Sequence, residues 1–316
     1  MLPLRSKLAV GTLLALVALL IAFRNRLRAL QLEVNALTGS VLLLKQDVQE
    51  LKSAAVPPPQ LGAAAPTSPA GAPDSALHAR ADELYEAEQL EETHALLEEA
   101  RKAGEALNVT DVEVRWRLAR VCYDLAEARA AEEGVKLQDS AEARERLLEG
   151  LDHATAALAA GPRNFAAHKW YGAMLGSTAK LEGKKAQIET AEAVRQHFEM
   201  AIELNPNDAT THHLLGLWHF NVAGLSWTLR KLASVVFATP PTSTFEEAKV
   251  HFANAEKLMP RLCGMANKLM LAKCCIELKE KDAAADLLRT ALSQPPNGKR
   301  TEDKALAECE KLLATL

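Results

Sequence analysis

His212, His213 and His219 come nearest, in type and spacing, to a metal or acid–base site in this chain. Successive residues of a helix point about 100° apart, so His212 and His219 share a face and His213 does not. Metal or proton chemistry there would also need an acidic ligand, and none stands between His212 and His219. Helix packing is therefore the expected role of these imidazoles. There is no glycine-rich phosphate loop, no His-Glu-x-x-His pair and no nucleophile elbow. The sequence predicts no catalytic residue, no metal ligand and no cofactor, so the chain reads as a non-enzyme.

A second group has the chemistry of a lipid site. Trp170, Trp218, Trp227 and Phe237 supply rings, and Arg230 and Lys231 supply cations. Rings of this kind lining a groove would hold an acyl chain, with a cation near the headgroup. The competing reading is that the segment around Trp227 packs into the domain and seals its concave face. Charge excludes one partner class. The formal net charge is −4, whereas nucleic-acid binding needs a clustered basic surface. Direct microtubule binding would likewise need a basic face, because the lattice is acidic. The basic clusters are Arg24–Arg28 and a modest one at Arg115, Arg117 and Arg120, surrounded by glutamates. Cys122, Cys263, Cys274, Cys275 and Cys309 have neither zinc nor redox spacing and read as reduced, buried thiols.

The elements that must position these residues follow from three prolines. Pro162, Pro206 and Pro260 each close a helix. Five, eight and twelve residues before them stand Ala157, Ala154 and Gly150; Ala201, Phe198 and Val194; and Ala255, Phe252 and Ala248. Ten residues after them stand Gly172, Gly216 and Met270. Small residues at these offsets form the tetratricopeptide (TPR) packing register. The fold class expected is all-α, a TPR-like solenoid of helical hairpins over 77–316, whose usual work is holding a protein partner on its concave face. Aromatics are only 4 % of residues, so the core must be Leu, Ala and Val. Two hairpins are longer than standard. Gly172 to Val194 and Gly216 to Ala248 gain ten and twenty residues over the usual spacing, read as inserted connections. The longer insert, 225–244, predicts an amphipathic helix, a break at Pro240-Pro241, and a cap at Thr242-Ser243-Thr244 over Glu246 and Glu247.

Three segments precede the solenoid. Residues 1–25 hold an uncharged run, Leu8–Phe23, between basic flanks. It is slightly short for a hydrocarbon core, and snorkelling of the flanking cations makes up the difference. It reads as a single-pass transmembrane helix with the larger domain cytosolic, on the mitochondrial outer membrane or alternatively the endoplasmic reticulum. Residues 26–52 carry an unbroken heptad seam: Leu27, Leu30, Val34, Leu37, Val41, Leu44, Val48 and Leu51. Val at a and Leu at d favour a short parallel coiled coil, hence a homodimer. Residues 53–76 are a Pro/Ala-rich linker. Asn108-Val109-Thr110 is a glycosylation sequon that would be used only in a lumenal domain.

The insert makes the chain recognisable. Leu215-Gly-Leu-Trp218, Leu225-Ser-Trp227 and Phe237-Ala-Thr-Pro-Pro-Thr-Ser-Thr244 resemble the regulator of microtubule dynamics family, as do Ala81-Asp-Glu-Leu-Tyr85 and His168-Lys-Trp-Tyr171. The likeness covers about residues 77–312. With the anchor and coiled coil, the best match is the mitochondrially anchored, phosphatase-interacting tether of that family. The resemblance implies a TPR-like domain, an outer-membrane location, calcium homeostasis and phospholipid transfer at contact sites with the endoplasmic reticulum, and microtubule association for other members. One feature departs from the tether. It carries a two-phenylalanine acidic motif between anchor and repeats, and here no Phe or Tyr occurs between Phe23 and Tyr85. The nearest look-alike, Glu83–Glu88, falls in the first expected helix.

Overall fold

The computed structural model describes residues 73–107, 109–236, 241–258, 264–293 and 300–316. The expected span, coiled coil and most of the linker lie outside them, as do Asn108, Phe237, Pro260 and Cys263. Among the described residues, no helix is long and apolar enough to cross a membrane.

Twelve α-helices follow one another among the described residues. They are α1 (Pro73–Glu86), α2 (Leu90–Ala106), α3 (Val112–Glu132), α4 (Ala141–Ala160), α5 (Phe165–Glu182), α6 (Lys184–Leu204), α7 (Ala209–Ala223), α8 (Trp227–Val236), α9 (Phe245–Leu258), α10 (Gly264–Glu277), α11 (Lys281–Ser293) and α12 (Arg300–Leu313). Partners follow one another along the chain, except where the insert helix α8 intervenes: α3 packs on α4, α5 on α6, α7 on α9 and α10 on α11. The result is a row of helical hairpins. Short polar residues start the helices. Asp111 accepts from the Glu113 and Val114 amides, Ser140 from Ala143, Asn164 from Ala166 and Ala167, and Asp208 from Thr211. The cap expected before α9 is a capping box: the Thr244 amide donates to Glu247 Oε2 at 2.9 Å, and the Glu247 amide to Thr244 Oγ1 at 3.2 Å.

The proline register is realised as close packing. All nine residues five, eight and twelve places before the prolines are buried. Gly172 lies under the Phe198 ring, and Gly216 under Phe252. A Cβ at Gly216 would stand 2.8 Å from the ring carbon Cε1 of Phe252, and one at Gly172 would stand 2.9 Å from that of Phe198. The phenylalanine of the second helix fills the space that the first leaves empty. Met270, at the third such position, is half-buried against the Phe252 cluster.

The ten extra residues of the α5–α6 hairpin lengthen both helices. These turn about a single residue, Gly183, whose φ of +100° suits glycine. Helix α1 begins earlier than the linker boundary at 76. Pro73 opens it, since proline lacks only an N–H that the first turn leaves unpaired anyway.

Candidate functional site

The five described residues of the lipid-site group, Trp170, Trp218, Trp227, Arg230 and Lys231, do not converge. Trp170 is in the main core beside Met174 and Val194, and Trp218 joins that core while its Nε1 donates to the Ala191 carbonyl at 2.8 Å. Trp227 opens the insert helix α8 and is 70 % exposed, with Lys231 Nζ 4.0 Å above its ring. Arg230 turns back to the end of α7, donating to the Ala223 and Leu225 carbonyls. Phe237 lies outside the described residues.

The register that places the glycines also places histidines, a pattern that reading His212 and His219 by themselves misses. Nine residues before the three prolines stand His153, His197 and His251. Each presents Nδ1 to the first helix of its hairpin: to Arg115 Nη1 at 3.0 Å, to His168 Nδ1 at 2.9 Å and to His212 Nδ1 at 3.4 Å. His168 and His212 point Nε2 at the Pro162 and Pro206 carbonyls, at 3.0 and 3.1 Å. That contact keeps the proton on Nε2, so their Nδ1 atoms accept. His219, one helix layer on from His212, stacks on His251 with centroids 5.0 Å apart. Burial, reinforced by the neighbouring imidazoles, pushes His197 and His251 down to about 4. Burial also lowers His213 and His219. His213 packs on Phe252 and pairs with Asn267 at 2.9 Å. His197, His213, His219 and His251 are therefore neutral packing and hydrogen-bonding groups.

The charged residues gather at the other candidate, a cleft of about 320 Å³ between α1, α2 and α3, closed on one side by Lys304 of α12. Glu88, Glu91, Asp124, Glu127 and Glu132 line it with Tyr85, Leu90, Ala128 and Ala131. Five carboxylates and one ammonium line it; Glu132 is paired with Arg129 and Asp124 accepts from Tyr85, and the remaining negative charge favours a cation. Its wall is fixed in place: the Tyr85 hydroxyl donates to Asp124, and the Arg120 guanidinium lies 3.7 Å over the Tyr85 ring. The look-alike motif Glu83–Glu88 thus runs off the end of α1, with Leu84 buried and Ala87 and Glu88 in the turn that follows. A second hollow, by Val112 and Gly161–Asn164, is open and shallow. Neither hollow is lined by any of the five described lipid-site residues.

Arg115, Arg117 and Arg120 do not form a basic face. Arg117 pairs with Asp82 and Glu113 at 2.7 and 2.8 Å, Arg120 with Asp82 at 2.7 Å, and Arg115 with Glu105 at 2.5 Å. Cys122, Cys274, Cys275 and Cys309 are buried free thiols, as expected, and burial pushes Cys274 up to about 12.

Residues 77–316 match the family model for regulator of microtubule dynamics proteins 1–3. Regulator of microtubule dynamics protein 1 of Bos taurus is 38 % identical over 237 residues, covering 74 % of this chain and 69 % of that protein. Regulator of microtubule dynamics protein 3 of Xenopus laevis is 34 % identical over 201 residues, covering 64 % of this chain and 41 % of that protein. Among solved structures, a thermophilic TPR protein of Thermus thermophilus aligns over 74 % of this chain and 98 % of its own, at 16 % identity and a TM-score of 0.49. With the repeat register, the insert motif and the match over 77–316, the chain belongs to the regulator of microtubule dynamics family.

Proposed function

We propose that this chain is a membrane-anchored adaptor, held at the mitochondrial outer membrane or the endoplasmic reticulum by Leu8–Phe23, that takes a basic segment of a partner protein into its acidic cleft. The cleft carries the proposal: five carboxylates and an apolar floor on three helices, with Tyr85 tied into the wall. An extended Lys/Arg-rich segment offers complementary charge, and its aliphatic stems suit Leu90, Ala128 and Ala131. Glu88 and Glu91 are exposed at the rim. A Glu88→Lys/Glu91→Lys variant of the full chain in detergent should bind a fluorescent arginine-rich peptide at least about tenfold more weakly, and wild-type binding should fall steeply with salt. Equal binding by the variant would refute the cleft as the docking site.

The exposed Trp227, with Lys231 over it, suits the headgroup level of a phospholipid bilayer, where the amphipathic helix α8 would lie flat. This supports lipid contact at a surface rather than in a groove. A Trp227→Ala/Lys231→Glu variant should lose retention on anionic vesicles without losing helicity; unchanged retention would remove α8 from the account. Direct microtubule binding is the second reading, favoured by the names of the relatives. The ion pairs of Arg115, Arg117 and Arg120 favour instead a link through a partner. Salt-resistant co-sedimentation of the purified full chain would overturn that preference.

A further inference from the structure

Helices α2, α3 and α4 bring five ligand-type side chains to one place. His94 and Glu98 are four residues apart on α2, and Glu149 and His153 are four apart on α4, so each pair shares a face. Cys122 of α3 lies between them. The ligand atoms of His94, Cys122 and Glu149 lie within 4.8 Å of one another, as do those of Glu98, Glu149 and His153. Tetrahedral zinc would hold such atoms about 3.3–3.8 Å apart, from bonds of about 2.0–2.3 Å. Contraction within each trio would reach that spacing, and Glu149, common to both, joins them.

The two carboxylates differ. Glu98 gives both oxygens to Arg101, at 2.7 and 2.8 Å. Glu149 gives Oε2 to Arg146 at 2.8 Å and turns Oε1 to His94 Nε2 at 2.9 Å. Oε1 can therefore change partners while Arg146 keeps Oε2. His153 is buried, and its Nε2 has no hydrogen-bond partner. That atom points into the cluster, 3.5 Å from Glu98 Oε1 and 3.9 Å from Glu149 Oε1. A buried polar atom left unpaired is costly, which sets this cluster apart from an ordinary ion-pair network.

We propose that His94 Nε2, Cys122 Sγ, Glu149 Oε1 and His153 Nε2 form a zinc site that clamps helices α2, α3 and α4 together. A thiolate, two imidazoles and a carboxylate suit Zn²⁺ better than a hard cation. Burial raises the Cys122 thiol, so binding must displace its proton to solvent, and the resulting thiolate and Glu149 balance the two charges of the metal. His153 must also move its ring proton. Arg115 Nη1 now donates to Nδ1, which leaves the proton on Nε2. On binding, the proton passes to Nδ1 and Arg115 keeps its other partner, Glu105.

The test is cobalt titration of the full chain, stripped of metal in detergent, with circular dichroism on every variant. One equivalent of Co²⁺ should give thiolate-to-metal charge-transfer absorption, abolished by one equivalent of Zn²⁺. Cys122→Ala should eliminate the absorption, and His94→Gln should weaken zinc binding by about a hundredfold or more, since even outer-shell losses reach that size. Cys274→Ala should leave both intact. Arg115→Gln should tighten binding by freeing His153 Nδ1. If Cys122→Ala loses helix, the His94→Gln and Arg115→Gln affinities decide. No charge-transfer absorption in the wild type, absorption that survives Cys122→Ala, or unchanged affinity in His94→Gln would each overturn the site.

Discussion

A Gly216→Val variant is expected to lose about 2–3 kcal/mol of stability, the upper part of the usual overpacking range. The cause is local. A Cβ there meets Phe252 Cε1, Cδ1 and Cγ at 2.8, 2.9 and 3.1 Å, and the ring is fully buried. Valine's somewhat better helix propensity returns only a few tenths of a kcal/mol. Phe252→Ala alone should cost about 3–5 kcal/mol through the cavity it leaves. The double variant should cost clearly less than the two single losses together, because valine enters space that the ring has vacated. Urea midpoints of the four proteins measure this. Strict additivity would mean that Gly216 and Phe252 do not form the packing contact of the hairpin.

Acid should destabilise the solenoid between about pH 6.5 and pH 4. His197 and His251 sit at about 4 in the fold, against about 6.5 in an unfolded chain. Their folded pKa values are depressed, so the neutral imidazoles contribute fully above pH 6.5. That contribution is lost as pH falls and the unfolded chain takes up protons first. The groups that face them do not reverse the sign. His168 and Tyr171 stand against His197, and His212 and His219 against His251. Glu247 pulls His251 upward but acts less than burial and the imidazoles do. With a discount for partial exposure, the two sites together are worth roughly 2 kcal/mol, or about 4–8 °C in Tm for a domain of this size. Melting followed by circular dichroism at pH 7.5, 6 and 5 checks this. A His197→Gln/His251→Gln variant should have a lower Tm at pH 7.5 and a flatter pH slope. Parallel slopes would assign the acid sensitivity elsewhere.

The legible parts of this molecule were those marked by spacing. Pro162 and Pro206 gave away Gly172 and Gly216 and their partners Phe198 and Phe252, because proline and glycine each answer a backbone demand that other residues fail. The capping box at Thr244 and Glu247 was readable for the same reason. The same count, nine residues back from each proline, also holds His153, His197 and His251. It went unread because histidine tolerates both surface and core and signals neither. The acidic cleft was not legible, since Lys304 meets residues near Glu88 and Asp124 only through the curl of the whole solenoid. Trp227 shows the opposite failure. Its ring suggested a groove, but the helix it opens turns it to solvent.

The measurement that bears most directly on the adaptor account is photo-cross-linking of an arginine-rich peptide to the full chain in a lipid nanodisc, with the joined residues located by mass spectrometry. The account predicts that the links fall on residues 85–91, 124–132 or Lys304, and that Glu88→Lys/Glu91→Lys abolishes them. Links spread over other helices, or as many links from an acidic peptide of the same length, would contradict it.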